Sequence, residues 1–486
     1  MIRRTDGIML LKMRSRLDTW RITKARQNAG VLLSCGVAVI LAASFPGSLW
    51  AQVNPAPSPL TLRQAVAMAL ERNPQHKVAL ADTQVAAADI RAARSALLPH
   101  ATFSETATRG NDPVYVFGSK LRQQSFTTGD FALNTLNTPT PFSNFTTRFG
   151  ATWNLFDSLA SWRGIARAER QKESVGHQLE RTDQEIVFRV VEAFYAVLLA
   201  RKQLEVAEQS LKTGEAILGR SKDRFESGVV VESDYLSSQV RLASRRREII
   251  GAQNSLAMAQ AQLSVALGTS PGTAFDPVEA LAEKNLPQIS LEAMEKQALE
   301  MRPDLRRVRS EEAAQQQGVS IAKSAFGPRV NGFAAWQADN PTFFSGGGGN
   351  DWIAGIEIQV DLFQGGAKRA ELTHQQALQA KAASVEEMAK DGIRIEVRRA
   401  YYEMDAARQQ IDVARAAIAE SQASLRINQD RYDSGLSTIS DLLAAEEAAR
   451  RSQADYWETI YRYHTGYASL ELAAGSLSPQ SPVVIP

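Results

Sequence analysis

The side chains that could carry out chemistry do not form a catalytic or metal-binding pattern. A zinc site needs histidine or cysteine ligands at short fixed spacings, but this chain has one cysteine, Cys35, and five scattered histidines. The histidines are His76, His100, His177, His374 and His464. No glycine-rich loop runs into Gly-Lys-Ser or Gly-Lys-Thr to bind phosphate, and the Ser-Gly dipeptides lack the context of a nucleophilic serine. We therefore predict that the protein is not an enzyme and uses no cofactor or metal.

The most specific polar pattern is a stretch that occurs twice. Arg224–Leu236 reads RFESGVVVESDYL, and Arg431–Leu443 reads RYDSGLSTISDLL. The two stretches lie 207 residues apart, and an arginine, an aromatic residue, Ser-Gly, Ser-Asp and a final leucine recur in place. The repeated aspartates are Asp234 and Asp441.

The offset continues well beyond these stretches, which indicates that the mature chain is duplicated. WNLF at Trp153 matches VDLF at Val360, and earlier segments that end at Pro74 and Pro303 match at an offset of 229 residues. The first copy therefore carries 22 extra residues, and length differences of this kind map to loops. We predict a signal peptide at 1–51, repeats at 52–271 and 272–475, and a C-terminal tail at 476–486.

The first 51 residues have the order of a secretory signal. Eight basic residues precede an apolar run, VLLSCGVAVILAA, and a small residue, Ala51, stands at the expected cut. The run is shorter than the roughly 20 residues of a membrane-spanning helix, although a membrane anchor is the alternative. The remaining chain would have a net charge of −4, from 47 basic and 51 acidic residues. Cys35 lies inside the run, so we expect neither a lipid anchor nor a disulfide.

Sustained heptads predict a long helical hairpin in each repeat. Large apolar residues recur every seven positions from Val190 and again from Val397, with small residues three positions later. No proline interrupts Ser158–Glu226 or Lys368–Ile439, so each long helix should extend about 100 Å. The repeated stretches are then the turns at which a shorter helix begins to return.

The residue types at these turns predict how the helices end and begin. Gly228 and Gly435 should end the long helices in the left-handed conformation. Ser233 and Ser440 should cap the returning helices, because a serine hydroxyl can accept a hydrogen bond from a free backbone N–H group.

Two runs of alternating apolar and polar residues predict strands. One run ends at Leu155 and the other at Leu362, and a second strand is expected at Ala101–Thr108 and at Val330–Gln337, giving one hairpin per repeat. The loop tips are predicted at 134–144 and 345–350. A soluble hairpin beneath a helix is the alternative to membrane strands.

In a membrane barrel the apolar face meets lipid and the polar face lines the lumen. The residues predicted to face lipid are Phe149, Trp153, Trp352, Ile356 and Val360. The residues predicted to face the lumen are Arg148, Thr152, Glu357 and Gln359. Four strands cannot close a barrel, and an open sheet edge cannot face lipid, so closure requires several chains. Closure alone does not choose three chains over two.

The whole pattern resembles the TolC-like outer-membrane efflux proteins of bacteria. The resemblance is carried by LTLRQAVAMALERNP, by the two Leu-Phe turns into helix and by the two duplicated tips, and it covers about Leu60 to Gly475. It implies a homotrimer with a twelve-stranded barrel in the outer membrane and a helical tunnel through the periplasm. It also implies a periplasmic adaptor and an inner-membrane pump as partners. With a net charge of only +2, the chain gives no reason to expect nucleic acid.

The resemblance implies a role for the tips as the periplasmic gate. Asp441 matches the acidic gate position and Asp234 is its counterpart, whereas a second acidic residue of the family is replaced by Ala444. Aspartate in the first turn of a helix also interacts favourably with the helix dipole, so a simple cap is the alternative. The residues expected to brace neighbouring helices or to contact the adaptor are Arg224, Phe225, Arg431 and Tyr432.

The predicted fold is therefore mainly α with a β-barrel part. Long antiparallel helices form an internally duplicated protomer with four strands per chain, which assembles into a trimeric α/β barrel. The predicted function is an exit duct for efflux or type I secretion across the periplasm and outer membrane of a Gram-negative bacterium. The alternative is an exported coiled-coil scaffold without a pore.

Overall fold

Long helices dominate the structure, a computed structural model that describes residues 58–344 and 347–485. The elements of the first half are β1 (Ser58–Leu60), α1 (Leu62–Arg72), α2 (Pro74–Ser95), β2 (His100–Gly110), α3 (Pro113–Arg122), α4 (Leu133–Asn137), β3 (Phe142–Phe156), α5 (Ala160–Glu226) and α6 (Glu232–Ala266). The elements of the second half are β4 (Phe275–Pro277), α7 (Leu291–Met301), α8 (Pro303–Ser324), β5 (Arg329–Asn340), β6 (Asn350–Gln359), α9 (Ala367–Asp433) and α10 (Ile439–Ala474).

The element boundaries repeat at the two offsets read from the sequence. A shift of 229 residues carries α1 and α2 onto α7 and α8, and a shift of 207 residues carries α5 onto α9, in each case to the residue. Both α5 and α9 contain 67 residues and are therefore about 100 Å long. Two helical hairpins of nearly equal length thus lie in one chain.

The apolar core lies where α1, α5, α7, α9 and α10 meet. Val190 and Phe194 of α5 and Val397 of α9 are fully buried there, as the heptads predict. The C-terminal segment also contributes, because Val483 and Val484 are fully buried against this core.

The four predicted strands form one antiparallel sheet in the order β2-β3-β5-β6. The hairpin of each repeat is β2 with β3 and β5 with β6, and β3 pairs with β5 to join the repeats. Within one chain β2 and β6 are the sheet edges. Strand β6 ends at Gln359, so Val360 lies one residue beyond the sheet and its assignment to a strand was wrong.

The extra residues of the first repeat connect β2 to β3. This connection, residues 111–141, contains α3, a 3-10 helix at Thr128–Phe131 and α4, whereas residues 341–349 suffice between β5 and β6. The predicted irregular tip at 134–144 was therefore wrong, since α4 occupies its start and β3 its end. Gln123 tethers the connection to the sheet by donating hydrogen bonds to the carbonyls of Ser143 and Asn340 at 3.0 and 3.1 Å.

Two predictions fall at least partly outside the described residues. The signal peptide at 1–51 lies outside them entirely, as do residues 345 and 346 of the second loop tip. Across 58–344 and 347–485, none of the helices combines the length and the apolar character that crossing a bilayer requires.

Candidate functional site: the helix tips and the strand sheet

Both long helices end in the same glycine turn. Gly228 and Gly435 have φ of +74° and +71°, in the left-handed region where a side chain is strained. The N–H of Val229 bonds the carbonyl of Arg224 at 2.9 Å, and the N–H of Leu436 bonds that of Arg431 at 2.7 Å. These bonds form Schellman motifs, so the glycines end the helices as predicted.

The returning helices are capped two residues earlier than predicted. Thr438, not Ser440, is the N-cap of α10, and its hydroxyl accepts a hydrogen bond from the N–H of Asp441 at 3.2 Å. Asp441 Oδ2 in turn accepts bonds from the N–H and hydroxyl of Thr438 at 3.1 and 2.8 Å. The prediction failed because the turn leaves Ser440 inside the helix, where the Thr-x-x-Asp pair already forms a capping box.

The two tip aspartates therefore have different surroundings. Val231, not Ser233, is the N-cap of α6, and it has no hydroxyl with which Asp234 could form a capping box. Hydrogen bonds from Thr438, first from its side chain and then from its backbone, together with the field of Arg431, hold the pKa of Asp441 below its usual value. Asp441 is thus exposed and ionised, and it is the partner of Thr438 in the capping box of α10.

The first tip braces the second. Arg224 Nη1 donates a hydrogen bond to the carbonyl of Asp433 at 2.8 Å, and its guanidinium lies 5.1 Å from the ring centre of Tyr432. Tyr432 is buried in a small apolar cluster with Ile217 of α5 and residues of α10. Two of the four predicted bracing residues, Arg224 and Tyr432, therefore connect the two repeats.

The other two predicted bracing residues stay within their own hairpins. The ring of Phe225 stacks on Tyr235 with centres 5.8 Å apart. Arg431 Nη2 donates to the carbonyl of Leu436 at 3.3 Å, within its own turn. Ala444, at the position where the resemblance leads us to expect a second acid, is exposed on α10.

A buried ion cluster above the tips was not predicted. Arg245 of α6 is 1% exposed, donates to Glu248 at 2.9 Å and to Glu447 at 2.7 Å, and also pairs with Glu446. Glu446 is itself buried and accepts from the hydroxyl of Ser210 at 2.5 Å. The cluster therefore joins α5, α6 and α10 across the two repeats. The sequence shows the charges, but no periodic signal indicates that they are buried together.

The opposite charges in this cluster stabilise one another in the ionised state. Burial opposes the charge on Arg245, but hydrogen bonds from its guanidinium to Glu446 and Glu447 raise its pKa above the usual value. Burial also opposes the charge on Glu447, but hydrogen bonds from Arg450 and Arg245 lower the pKa of that carboxyl to about 2.

The sheet separates the predicted apolar and polar residues onto opposite faces. Phe103, Phe149, Trp336 and Trp352 are cross-strand neighbours in one row, and Trp153 and Ile356 lie in another row of the same face. Trp352 is 77% exposed and Ile356 is 68% exposed in the single chain. Large apolar side chains thus cover one face of the sheet, and most of them are exposed in the single chain.

The opposite face is mainly polar. One row across the strands consists of Ser104, Arg148, Gln337 and Asp351, and another places Asn154 and Asn331 beside Glu357. Gln359 lies on this face opposite Arg329. Thr152 lies on this face too, but its surroundings are partly apolar. Its neighbours in the row include Phe333, whose ring covers Gly355.

In the part of the chain that the structure describes, no three His, Cys, Asp or Glu side chains are grouped so that they could hold a metal ion.

Comparison with known proteins identifies the family. A family model described as outer membrane efflux protein matches residues 65–269 and 295–476, which is most of the chain and includes both helical hairpins. The chain belongs to the outer membrane efflux protein family.

Curated relatives and solved structures agree with this membership. The chain is 24% identical to the outer membrane protein TolC of Vibrio cholerae over 333 residues, which are 66% of this chain and 74% of TolC. It is 24% identical to the alkaline protease secretion protein AprF of Pseudomonas aeruginosa over 421 residues, 84% of this chain and 83% of AprF. The solved structure of CusC superposes with a TM-score of 0.73 at 17% identity, covering 88% of this chain and 95% of CusC.

Membership confirms the general function predicted from the resemblance. The protein is an outer-membrane efflux channel of a Gram-negative bacterium that extends into the periplasm, a passive conduit and not an enzyme. The comparisons give no support to the alternative of a scaffold without a pore.

The two faces of the sheet generate a prediction from adjacent residues. Ile356→Arg should impair assembly, because arginine on a lipid-facing strand at the bilayer midplane costs about 2–4 kcal/mol. Glu357→Arg should assemble nearly normally, because its side chain should point into water. Heat stability of the detergent-extracted oligomer would measure the difference, and equal loss in both variants would contradict the assignment of faces.

The ion cluster generates a second prediction. Arg245→Met should destabilise the chain by about 3 kcal/mol, because Glu446 would stay buried without its partner. The double variant Arg245→Met/Glu446→Met should recover most of that loss, and Arg246→Met, at an exposed neighbour, should change little. Thermal unfolding followed by circular dichroism would measure these changes.

This prediction also has a pH dependence. The pKa of the Glu447 carboxyl is lower in the folded chain than its usual value of 4.5, so its stabilising contribution is present above that pH. The contribution is lost as the pH falls from 4.5 toward about 2.

If Arg245→Met unfolds at the wild-type temperature at neutral pH, the cluster is not a stabilising contact.

Proposed function

We propose that three copies of this chain form a continuous exit duct, with a twelve-stranded barrel in the outer membrane above a periplasmic helical tunnel. The observation that carries the proposal is the four-stranded sheet with open edges at β2 and β6 and one apolar face. Open edges cannot face hydrocarbon, so β6 of one copy pairs with β2 of the next. The resemblance to TolC-like proteins favours three copies over two.

The chain is proposed to begin at about residue 52 after removal of the signal peptide. The functional protomer then consists of the repeats 52–271 and 272–475 and the tail 476–486. The repetition of element bounds at offsets of 207 and 229 residues supports this division.

The duct is proposed to work with a periplasmic adaptor and an inner-membrane pump. The family is named for efflux, and the relative AprF is named for secretion of a protease, so both small molecules and proteins are candidate cargo. The pump and adaptor supply energy and selectivity in this scheme, because the channel itself is passive. The tips Arg224–Leu236 and Arg431–Leu443 are the proposed contact with the adaptor.

The same tips are the proposed periplasmic gate. In the assembled duct the acidic residues Asp441 and Asp234 would form rings near the axis, where confined like charges attract cations and focus the field. Arg224 and Tyr432 support this role by holding the two tips of one chain together.

Conductance and mass measured on one preparation test the proposed function. Purified protein in mild detergent should have the mass of three chains and should form discrete channels in planar bilayers. It should also sediment with outer membranes. A stable monomer, or a trimer that forms no channel, would refute the exit duct.

Asp441→Asn separates the gate from the helix cap. Asparagine can still accept the bonds from Thr438, so Asp441→Asn should keep most of the stability of the helix cap at neutral pH while the charge is lost. We expect weaker channel block by multivalent cations in Asp441→Asn, with Asp234→Asn as the matched comparison at the other tip. Unchanged block and conductance would make Asp441 a cap alone.

The capping role of Asp441 has its own pH signature. Its pKa in the folded chain is below the usual 3.8, so its contribution to stability is present above that pH and is lost as the pH falls through the lower folded value. Asp441→Ala should therefore be less stable than wild type at neutral pH, and the difference should shrink in strong acid.

A further inference from the structure

A groove of about 920 Å³ lies between the start of α2, the middle of α5 and the end of α6. Small residues such as Ala193 and Ala261 line it, and Met258 and Val265 are 60% and 55% exposed at its side. Gly268, which follows α6, also lines the groove.

The corresponding place in the second repeat is covered by α5. Arg181 Nη1 of α5 donates to the carbonyl of Leu472 at 2.9 Å, and Gln184 Nε2 donates to that of Gly475 at 2.8 Å. Leu472 and Gly475 are the counterparts of Val265 and Gly268 at the offset of 207 residues. The groove of the first repeat should therefore receive the counterpart of α5, which is α9. Because α9 contributes no residue to this groove in its own chain, the occupant must come from another copy.

The surface of α9 fits this groove. Met388, Ile395 and Tyr402 recur every seven residues and are 73%, 60% and 60% exposed. The counterparts of Ile395 and Tyr402 on α5 are Phe188 and Tyr195, which pack in the core. The apolar stripe on α9 is thus exposed, whereas α5 uses the corresponding positions for packing.

The charges beside the groove are complementary as well. Within the chain Glu180 of α5 pairs with Arg306 of α8 at 2.7 Å, and the hydroxyl of Ser174 donates to Glu311 at 3.2 Å. The counterparts of the α5 residues lie 207 positions later, and those of the α8 residues lie 229 positions earlier. These counterparts make two pairs of opposite charge, and all four residues are exposed. The pairs are Glu387 with Lys77 and Lys381 with Asp82.

The four side chains of these pairs are largely free to form new ion pairs with another copy. Within 58–344 and 347–485, neither Lys77, Asp82 nor Lys381 has an ion-pair partner. Glu387 contacts only Lys390, on its own helix, at 2.7 Å.

We infer that the groove is the seat for α9 of a second copy of this chain. The stripe Met388–Ile395–Tyr402 lies over Met258 and Val265, and Lys381 and Glu387 of one copy face Asp82 and Lys77 of the next. This inference rests on the proposed oligomeric duct and assigns the residues of its subunit boundary.

Cross-linking tests the seat directly. The chain has one cysteine, Cys35, within the predicted signal, so Val265→Cys/Met388→Cys in a Cys35→Ala background offers one reactive pair. Oxidation should produce covalent ladders of up to three chains, whereas each single cysteine variant should produce none. An oligomeric, channel-forming preparation without ladders would overturn the seat and leave the proposed function intact. A monomeric wild type would instead overturn the proposed function.

Charge exchange tests the predicted pairing without relying on cysteines. Asp82→Lys and Lys381→Asp should each lower the dissociation midpoint of the detergent-extracted oligomer by at least about 3 °C, and the double exchange should restore it. Arg426→Asp is the matched control on α9, because its counterpart on α5, Gly219, faces open space. Additive losses in the double variant would overturn the pairing.

Discussion

Backbone hydrogen bonding at the edges of the sheet is the constraint on which the architecture depends. Every N–H and C=O group that enters hydrocarbon must find a partner within the protein, and one chain leaves β2 and β6 with unpaired edges. Its aromatic face, with Phe149 and Trp352, is equally unsuited to water. A sheet of this kind is stable in a membrane only as part of a closed ring. The helices that continue from β3 and β6 must then follow the same ring.

The duplication supplies two hairpins of nearly equal length to that ring, but the two boundaries of each hairpin differ in chemistry. Within the chain, Arg245, Glu446 and Ser210 form a buried ionic contact above the tips. Their counterparts at the proposed boundary between copies are Ser452, Gln239 and Ala417, which carry no charge. Breaking a buried ion pair is costly, whereas separating uncharged side chains costs less. In the proposed ring, the two hairpins of one chain are therefore held together more firmly near the tips than hairpins of different chains.

Stability and function meet at the tips. Asp441 completes the capping box of α10, while Asp234 occupies the same step of α6 without a hydroxyl at its cap. Arg224 connects the first tip to the backbone of the second, but Arg431 bonds only within its own turn. The two copies of the motif thus make different contacts, because the first hairpin has the second as its neighbour in the chain. The second hairpin would meet a different molecule.

Periodic and local features could be read from the sequence alone. The heptads, the alternating strands and the glycine turns at Gly228 and Gly435 depend on residues close together in the chain, so their signals survive without knowledge of the fold. The proline-free runs and the turn glycines located the ends of α5 and α9 to within a few residues. The separation of Trp153 from Arg148 on opposite faces followed from the period of a strand.

Only the tertiary structure decided which faces meet. Arg245 and Glu446 are 201 residues apart, and nothing in their local spacing indicates that both are buried. The helix caps moved to Thr438 and Val231 because the geometry of the turn, and not residue preference alone, sets the first helical residue. Ile395 and Tyr402 are exposed on α9, whereas their counterparts Phe188 and Tyr195 on α5 pack in the core. That difference arises because α5 packs against α8 and α10 of the second repeat, whereas no part of 58–344 and 347–485 covers the stripe on α9.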